Sequence, residues 1–210
     1  MVATALPGLD ALLGGGWPRG GVSELAGPRS SGRTSILYAS LAGALKGGGA
    51  AALVDAEQAF DARLAARAGV PLERLLWVHA PDKQALRAAE LLVDAGGFDL
   101  VAVDLGDRNP RLPDAAWVRL RHGAERQRTA ALVVVAFPLV RAFASVAVHL
   151  ARRKANFDVT PPLLTGLRSE VEIGRGHADA TRCSIEFSVA APLPDNDTAV
   201  RVRPQARRKK

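Results

Sequence analysis

The feature that most constrains the fold is a set of short, uninterrupted apolar runs separated by segments of helical periodicity. Residues 50–55, 100–104 and 131–137 are apolar throughout or nearly so, and the first two end in a carboxylate, Asp55 and Asp104. A strand that is apolar at every position must be covered on both faces, which a parallel sheet with helices on each side provides. Residues 22–26 and 75–78 are shorter strands of the same kind. Between them, residues 34–46 place Ile36, Leu37, Leu41 and Leu45 at helical spacing and stop at Gly47-Gly48-Gly49. Residues 62–68, 83–95 and 115–128 also read as helices, the second through Leu86, Ala89 and Val93. The expected class is therefore α/β, a doubly wound, mostly parallel central sheet with helices on both faces. After Pro138 the rhythm changes. Residues 145–150, 170–173, 183–189 and 198–202 read as strands without long helices between them, which predicts an antiparallel extension of the sheet, with Pro161-Pro162 in a loop. The first twenty residues are rich in glycine and proline and read as turns.

Charge is unevenly distributed. The chain has 28 Lys and Arg against 21 Asp and Glu, a net charge of +7. Residues 201–210 hold six bases and no acid; without them the net charge is +1. The expectation is a single domain over residues 1–200 and a basic, disordered tail over 201–210. Apolar residues make up 48% of the chain and aromatic ones 5%, so the core must come from Ala, Val and Leu. The single cysteine, Cys183, excludes an internal disulfide framework and suits a reducing compartment. No stretch of eighteen apolar residues is present, and the N-terminus lacks a basic leader, so a cytoplasmic location is expected. His79, His122, His149 and His177 have no metal-binding spacing, and Trp17 and Trp77 read as packing residues.

The motif that carries chemistry is Gly27-Pro28-Arg29-Ser30-Ser31-Gly32-Arg33-Thr34. It follows a strand and opens a helix, the setting of a phosphate-binding loop in which backbone N–H groups and the helix dipole face an anion. Thr34 has the hydroxyl such loops place on Mg²⁺. The basic residue is Arg33 where a lysine is usual, and a forked guanidinium does not replace a compact ammonium. Two readings follow: a loop that holds ATP and Mg²⁺ without efficient turnover, or a loop that has lost its ligand. Asp104 at a strand end suits the Mg²⁺ hydration shell, and Glu57 suits a catalytic group orienting water. Each carboxylate alone could equally cap a helix.

Taken in order, these motifs resemble proteins of the RecA type. The resemblance is carried by Leu6-Pro7-Gly8-Leu9-Asp10 and Gly14–Gly21, by Glu24–Gly32, by Val54-Asp55-Ala56-Glu57-Gln58-Ala59-Phe60-Asp61 and by Leu100–Asp104. It implies ATP and Mg²⁺ as cofactors and gives Glu57 the catalytic role. The chain departs from the family at Arg33, at Leu64 where an aromatic residue packs on adenine, and after Phe137, where a polar sensor and a long DNA-binding loop are replaced by Pro138-Leu139-Val140-Arg141. The N-terminal helix and strand that link recombinase subunits are expected to be absent. Short relatives with such losses resemble the ImuA-type proteins. This resemblance implies a non-recombinogenic accessory role in SOS-response translesion synthesis, with RecA and an ImuB-like polymerase relative as partners and an error-prone DnaE-type polymerase as an indirect one. A DNA-dependent ATPase and a SulA-like division inhibitor are the alternatives.

Two basic stretches remain. Residues 108–128 contain Arg108, Arg111, Arg119, Arg121, Arg126 and Arg128 against Asp114 and Glu125. They suit either phosphate contact with DNA or a solvated helix face, and Trp117 is the sole ring available for stacking. The tail, with Arg207, Arg208, Lys209 and Lys210, suits either a solubilising end or a segment that orders on a partner.

Overall fold

The computed structural model describes residues 1–81, 83–108, 110–157, 164–175, 182–188 and 201–203. Strands β1 (Gly21–Ala26), β2 (Ala51–Asp55), β3 (Leu75–His79), β4 (Leu100–Asp104), β5 (Ala130–Val135), β6 (Val146–Phe157), β7 (Leu164–Arg175), β8 (Arg182–Ser188) and β9 (Arg201–Arg203) form one sheet. Its order is β3-β2-β4-β5-β1-β6-β7-β8-β9. The first six strands in that order run parallel, and β7, β8 and β9 extend the sheet antiparallel. The α/β class and the antiparallel extension are as the sequence implied. The first strand after Pro138, β6, is itself parallel to β1, because residues 136–145 cross the sheet on a single 3₁₀ turn, Arg141–Phe143.

Five α-helices cover the sheet: α1 (Pro7–Leu13), α2 (Arg33–Leu45), α3 (Ala62–Arg67), α4 (Lys83–Ala95) and α5 (Asp114–Gln127). One core lies on the face of α1 and α2 and includes Leu9, Trp17, Ile36, Leu41, Leu53 and Leu132. The other lies under α4 and α5 and includes Leu86, Val93, Val101, Val133, Trp117 and Leu120. Alternate residues of β2, β4 and β5 go to opposite cores, which is why β5 is apolar throughout and β2 and β4 are apolar up to their terminal aspartates. Trp17 is fully buried, and its indole N–H donates to Ser40 Oγ at 2.9 Å.

The helix α1 corrects the reading of the first twenty residues as turns. Pro7 begins it, Leu9, Leu12 and Leu13 are buried, and Gly14 ends it in the left-handed conformation at φ 69°. Proline at the first turn and glycine just past the last are the usual helix boundaries. Both signals are in the sequence, but the surrounding glycines hide them. β6 and β7 run longer than expected because each continues, with charged residues, past the point where the sheet leaves the core. Arg201–Arg203 pair with β8 as β9, so the basic stretch assigned to a tail begins with a strand. Arg207, Arg208, Lys209 and Lys210 lie outside the described residues, as do His177 and Pro161-Pro162.

Candidate functional site

Parallel α/β sheets present ligand sites at the carboxyl ends of their strands, where backbone groups leave the ladder. Here the ends of β1, β2, β4 and β5 bring together the loop 27–32, the segment 56–61, residues 104–108 and the turn 136–140. Asp55 and Asp104 stand at paired positions on β2 and β4. Asp55 is buried, and its carboxylate accepts N–H bonds from Glu57 at 3.2 Å, Ala59 at 3.1 Å and Phe60 at 2.9 Å. It therefore shapes the loop that carries Glu57. The sequence reading did not assign Asp55 this role, although a buried Asp before a loop is a common organiser of turn N–H groups.

Glu57 reaches across to β4. Its carboxylate lies 3.4 Å from the guanidinium of Arg108 and directly over Gly106. Gly106 adopts φ 65°, and a Cβ there would collide with the Glu57 carboxyl group, so both conformation and space require glycine. Asp104 Oδ1 accepts the Gly106 N–H at 2.9 Å. Burial pushes the Asp104 carboxyl above the ordinary carboxylate range, against the opposing effects of that hydrogen bond and of Arg33. A raised folded-state value means that the ionised form costs stability, so this cost appears as pH rises through that value and is absent below the unfolded one. Asp104→Asn keeps an acceptor for Gly106 and removes the charge. Its melting temperature is expected to exceed that of the parent at about pH 7 and to match it at about pH 3.5, where the parent carboxyl is neutral.

The loop itself is closed by side chains. Arg33 Nη1 donates to the carbonyl of Gly27 at 2.8 Å, and Nη2 donates to Asp107 Oδ1 at 2.6 Å. Arg29 Nε donates to the other oxygen of the same carboxylate. Asp107 thus spans two loop arginines. Arg33 beside it is the main reason its carboxyl is held below the ordinary range, with Arg29 adding to the effect. Asp107 was not among the residues the sequence singled out, because its partners are more than seventy positions away in the chain.

The backbone of the loop keeps features of an anion cradle. Gly32 adopts φ 89° ahead of α2, and no side chain caps that helix. Ser30 adopts φ 59°, a costly conformation for a non-glycine residue; Gln58 in the neighbouring loop does so at φ 53°. Ser169 on β7 donates to the carbonyl of Ser31 at 2.7 Å, so the antiparallel extension holds the loop from beneath. Pro28 and Thr34 are exposed, and Ser31 is buried. The backbone N–H groups at the α2 start carry no side-chain cap, so they are the donors a phosphate would use, and Thr34 and Asp104 are the residues that could hold a magnesium ion. The loop's cation, Arg33, is held by Asp107.

Of the arginines in residues 108–128, Arg119 donates to Glu90 from Nε and Nη2, at 3.2 and 3.0 Å, and Arg126 donates to Asp94 at 2.8 Å. Glu90 is buried and also accepts from Arg87. Those two arginines therefore tie α5 to α4. Arg111, Arg121 and Arg128 are exposed. Glu24, inside the apolar strand β1, was likewise not anticipated. It is buried, and its Oε2 accepts the N–H groups of Leu139 at 2.7 Å and Val140 at 2.5 Å. This fixes the turn after β5, leaving Phe137 exposed at the strand end. Among the described residues, no group of His, Cys, Asp and Glu could hold a metal ion on its own, and no helix is long and apolar enough to cross a membrane.

The curated relatives that this chain matches include RecA proteins. The stretch is 45% identical over 100 residues to Protein RecA of Porphyromonas gingivalis, covering 46% of this chain and 29% of the relative. It is 47% identical over 107 residues to Protein RecA of Thermus aquaticus, covering 50% and 31%. For Protein RecA of Chlorobaculum parvum it is 48% over 106 residues, covering 49% and 30%. The match thus spans less than a third of each relative's length. Residues 1–108, which include the loop, Glu57, Asp104 and Asp107, match the RecA N-terminal domain. A strand–loop–helix opening, carboxylates on neighbouring strand ends and a match over more than half the chain lead to one conclusion: this chain belongs to the RecA N-terminal domain family.

Proposed function

We propose that this chain is a non-recombinogenic RecA-like accessory protein of SOS-response translesion synthesis, one that works by contact with RecA and an ImuB-like polymerase relative. An error-prone DnaE-type polymerase is reached indirectly. The observation that carries the reading is the state of the loop. Its one cation in the lysine position, Arg33, is engaged by the Gly27 carbonyl and by Asp107. A loop closed in this way retains its shape while losing the free charge that phosphoryl transfer needs on the terminal phosphate. The turn after β5 supports the same reading. Residues 136–145 pass directly into β6, and Glu24 clamps their backbone, which leaves no long mobile segment at that strand end.

On this reading, any ATP that binds is held by the backbone N–H groups of Gly32, Arg33 and Thr34. Thr34 and Asp104 would hold its Mg²⁺, and Glu57 is paired with Arg108 rather than free to orient water. Arg119 and Arg126 are taken up between helices, which leaves Arg111, Arg121 and Arg128 as the exposed cations of residues 108–128 outside these ion pairs, so DNA contact is weak. The test is capture of purified RecA and of the ImuB-like protein on the immobilised chain, together with phosphate release on single-stranded DNA. Capture of both with negligible phosphate release is expected. Brisk DNA-dependent turnover that disappears in Glu57→Gln, without capture, would establish the ATPase reading instead.

A further inference from the structure

The turn that joins β5 to β6 is apolar where a surface turn is normally polar. It reads Phe137-Pro138-Leu139-Val140-Arg141-Ala142-Phe143-Ala144, and Arg141 is its only charge. Val140 and Ala144 are buried in the core under α4 and α5, and Leu139 and Phe143 are half-buried against it. Phe137 is 61% exposed, and Pro138 and Ala142 are exposed as well. The segment leading into α5 adds Leu112, half-buried against the same core between Arg111 and the exposed Pro113. α5 itself touches the 3₁₀ turn Arg141–Phe143. Residues 110–113 and 137–143 thus form an apolar shelf on one face of the sheet, at its carboxyl end. The shelf is preorganised. The N–H groups of Leu139 and Val140 donate to Glu24, those of Phe143 and Ala144 to the carbonyls of Val140 and Arg141 at 3.2 and 3.3 Å, and that of Ser145 to Val22 at 2.7 Å. Pro110, Pro113 and Pro138 fix φ at three further positions.

From this arrangement we infer that the two turns are a docking surface for an amphipathic helix of another protein, apolar on the face it presents and acidic along its flanks. The N–H groups of the shelf are already bonded, so an extended segment finds no ladder there. The occupant binds through side chains, as a helix laid on an apolar surface does. Phe137 is the anchor it covers, and little conformational freedom is lost on the shelf side when it does so. The charge around the shelf selects the partner. Among the described residues neither Arg111 nor Arg141 makes an ion pair, and both are exposed. Asp114, the one acid of residues 110–114, lies in the first turn of α5, where the helix dipole offsets it. Two guanidinium groups therefore remain for carboxylates of the occupant. Nucleic acid suits the shelf less well. Phosphate contacts draw on backbone N–H groups, which are taken here, and stacking on single strands uses several exposed rings, whereas Phe137 alone stands clear of the turn. A second copy of this chain, with a net charge of +7, brings no excess of carboxylates. The inference stands on the two turns and does not require the partner to be RecA or the ImuB-like protein.

The probe is a labelled synthetic helical peptide with leucines along one face and glutamates beside them. Its controls are the same peptide with lysines in place of the glutamates and a single-stranded oligonucleotide of mixed sequence. The full chain is expected to bind the glutamate peptide about tenfold or more tightly than the lysine peptide. Phe137→Asp should weaken that binding about tenfold or more while the melting temperature stays near that of the parent, because the ring is exposed. Arg111→Ala and Arg141→Gly should each weaken it about three- to tenfold. Glycine is the choice at position 141 because the backbone there adopts φ 54°. Several results would overturn the inference: no binding of the glutamate peptide, equal binding of the lysine peptide, or binding indifferent to Phe137→Asp and to both arginine substitutions. So would oligonucleotide binding tighter than the peptide's that Phe137→Asp abolishes, since the shelf would then contact nucleic acid. Self-association of the protein alone that the same substitution removes would do so too, the occupant then being a second copy. RecA capture that survives Phe137→Asp, with no peptide binding, would reject this surface and leave the accessory reading in place; peptide binding without capture of RecA or the ImuB-like protein would do the reverse.

Discussion

Asp107→Ala is expected to tighten the binding of Mg²⁺–ATP by about ten- to a hundredfold. Any anion entering the loop competes with a carboxylate already bonded to Arg33 and to Arg29. A hydrogen bond to a charged group contributes about 1.5–3 kcal/mol, and each 1.4 kcal/mol is a factor of ten in affinity. Removing the internal competitor returns that amount to the ligand, less what solvent screening takes at this partly exposed site. Asp107→Asn retains the shape but loses the charge, and its effect should lie between the parent and the alanine variant. Acid is a poor substitute for mutation. Asp107 is held below the ordinary carboxylate range, chiefly by Arg33, so its contribution to stability is present above the unfolded value and is lost only as pH falls through the lowered one. The latch therefore persists through mildly acid conditions. Titration with a fluorescent ATP analogue, at fixed ionic strength, measures the effect. Arg33→Ala in the Asp107→Ala background should lose most of the gain. Equal affinity in the parent and Asp107→Ala would mean that the carboxylate does not compete with phosphate.

The latch also shows where sequence reading stops. The loop, Glu57 and Asp104 are legible because each is local: a glycine-rich turn between strand and helix, and carboxylates ending apolar runs. The doubly wound plan is legible for the same reason, since a strand apolar at every position has few other places to be. Asp107, Asp55 and Glu24 are different. Each acts through partners that only the fold brings near, and nothing adjacent in the chain distinguishes Asp107 from a solvated turn residue. Glu24 did carry a signal. A carboxylate within a strand whose every residue is buried must have buried donors to satisfy it, but the donors belong to a turn 115 positions later. The helical arginines fail in the opposite sense. Arg119 and Arg126 look like an anion-binding stripe in sequence, and their charge is taken up by α4, whose pattern gives no hint that Glu90 is buried.

The largest loss of stability is expected from Glu24→Ala. The substitution removes an acceptor that is itself buried and leaves the N–H groups of Leu139 and Val140 without a partner at the end of β5. An unsatisfied buried donor costs about 1–3 kcal/mol, so two of them, with the small cavity left by the side chain, amount to about 3–5 kcal/mol. Domains of this size hold only about 5–15 kcal/mol in total, and about 2–4 °C of melting temperature goes with each kcal/mol. Glu24→Ala should therefore melt about 6–20 °C below the parent and unfold at a clearly lower denaturant midpoint. Glu24→Gln keeps one acceptor oxygen and should lose about half as much or less. The change should be local first: amide exchange at Leu139 and Val140 should accelerate before that of β1 or β4, because the clamp holds a surface turn onto a core strand. If Glu24→Ala unfolds within about 1 kcal/mol of the parent, the turn finds other acceptors, and the short connection into β6, rather than Glu24, sets its conformation.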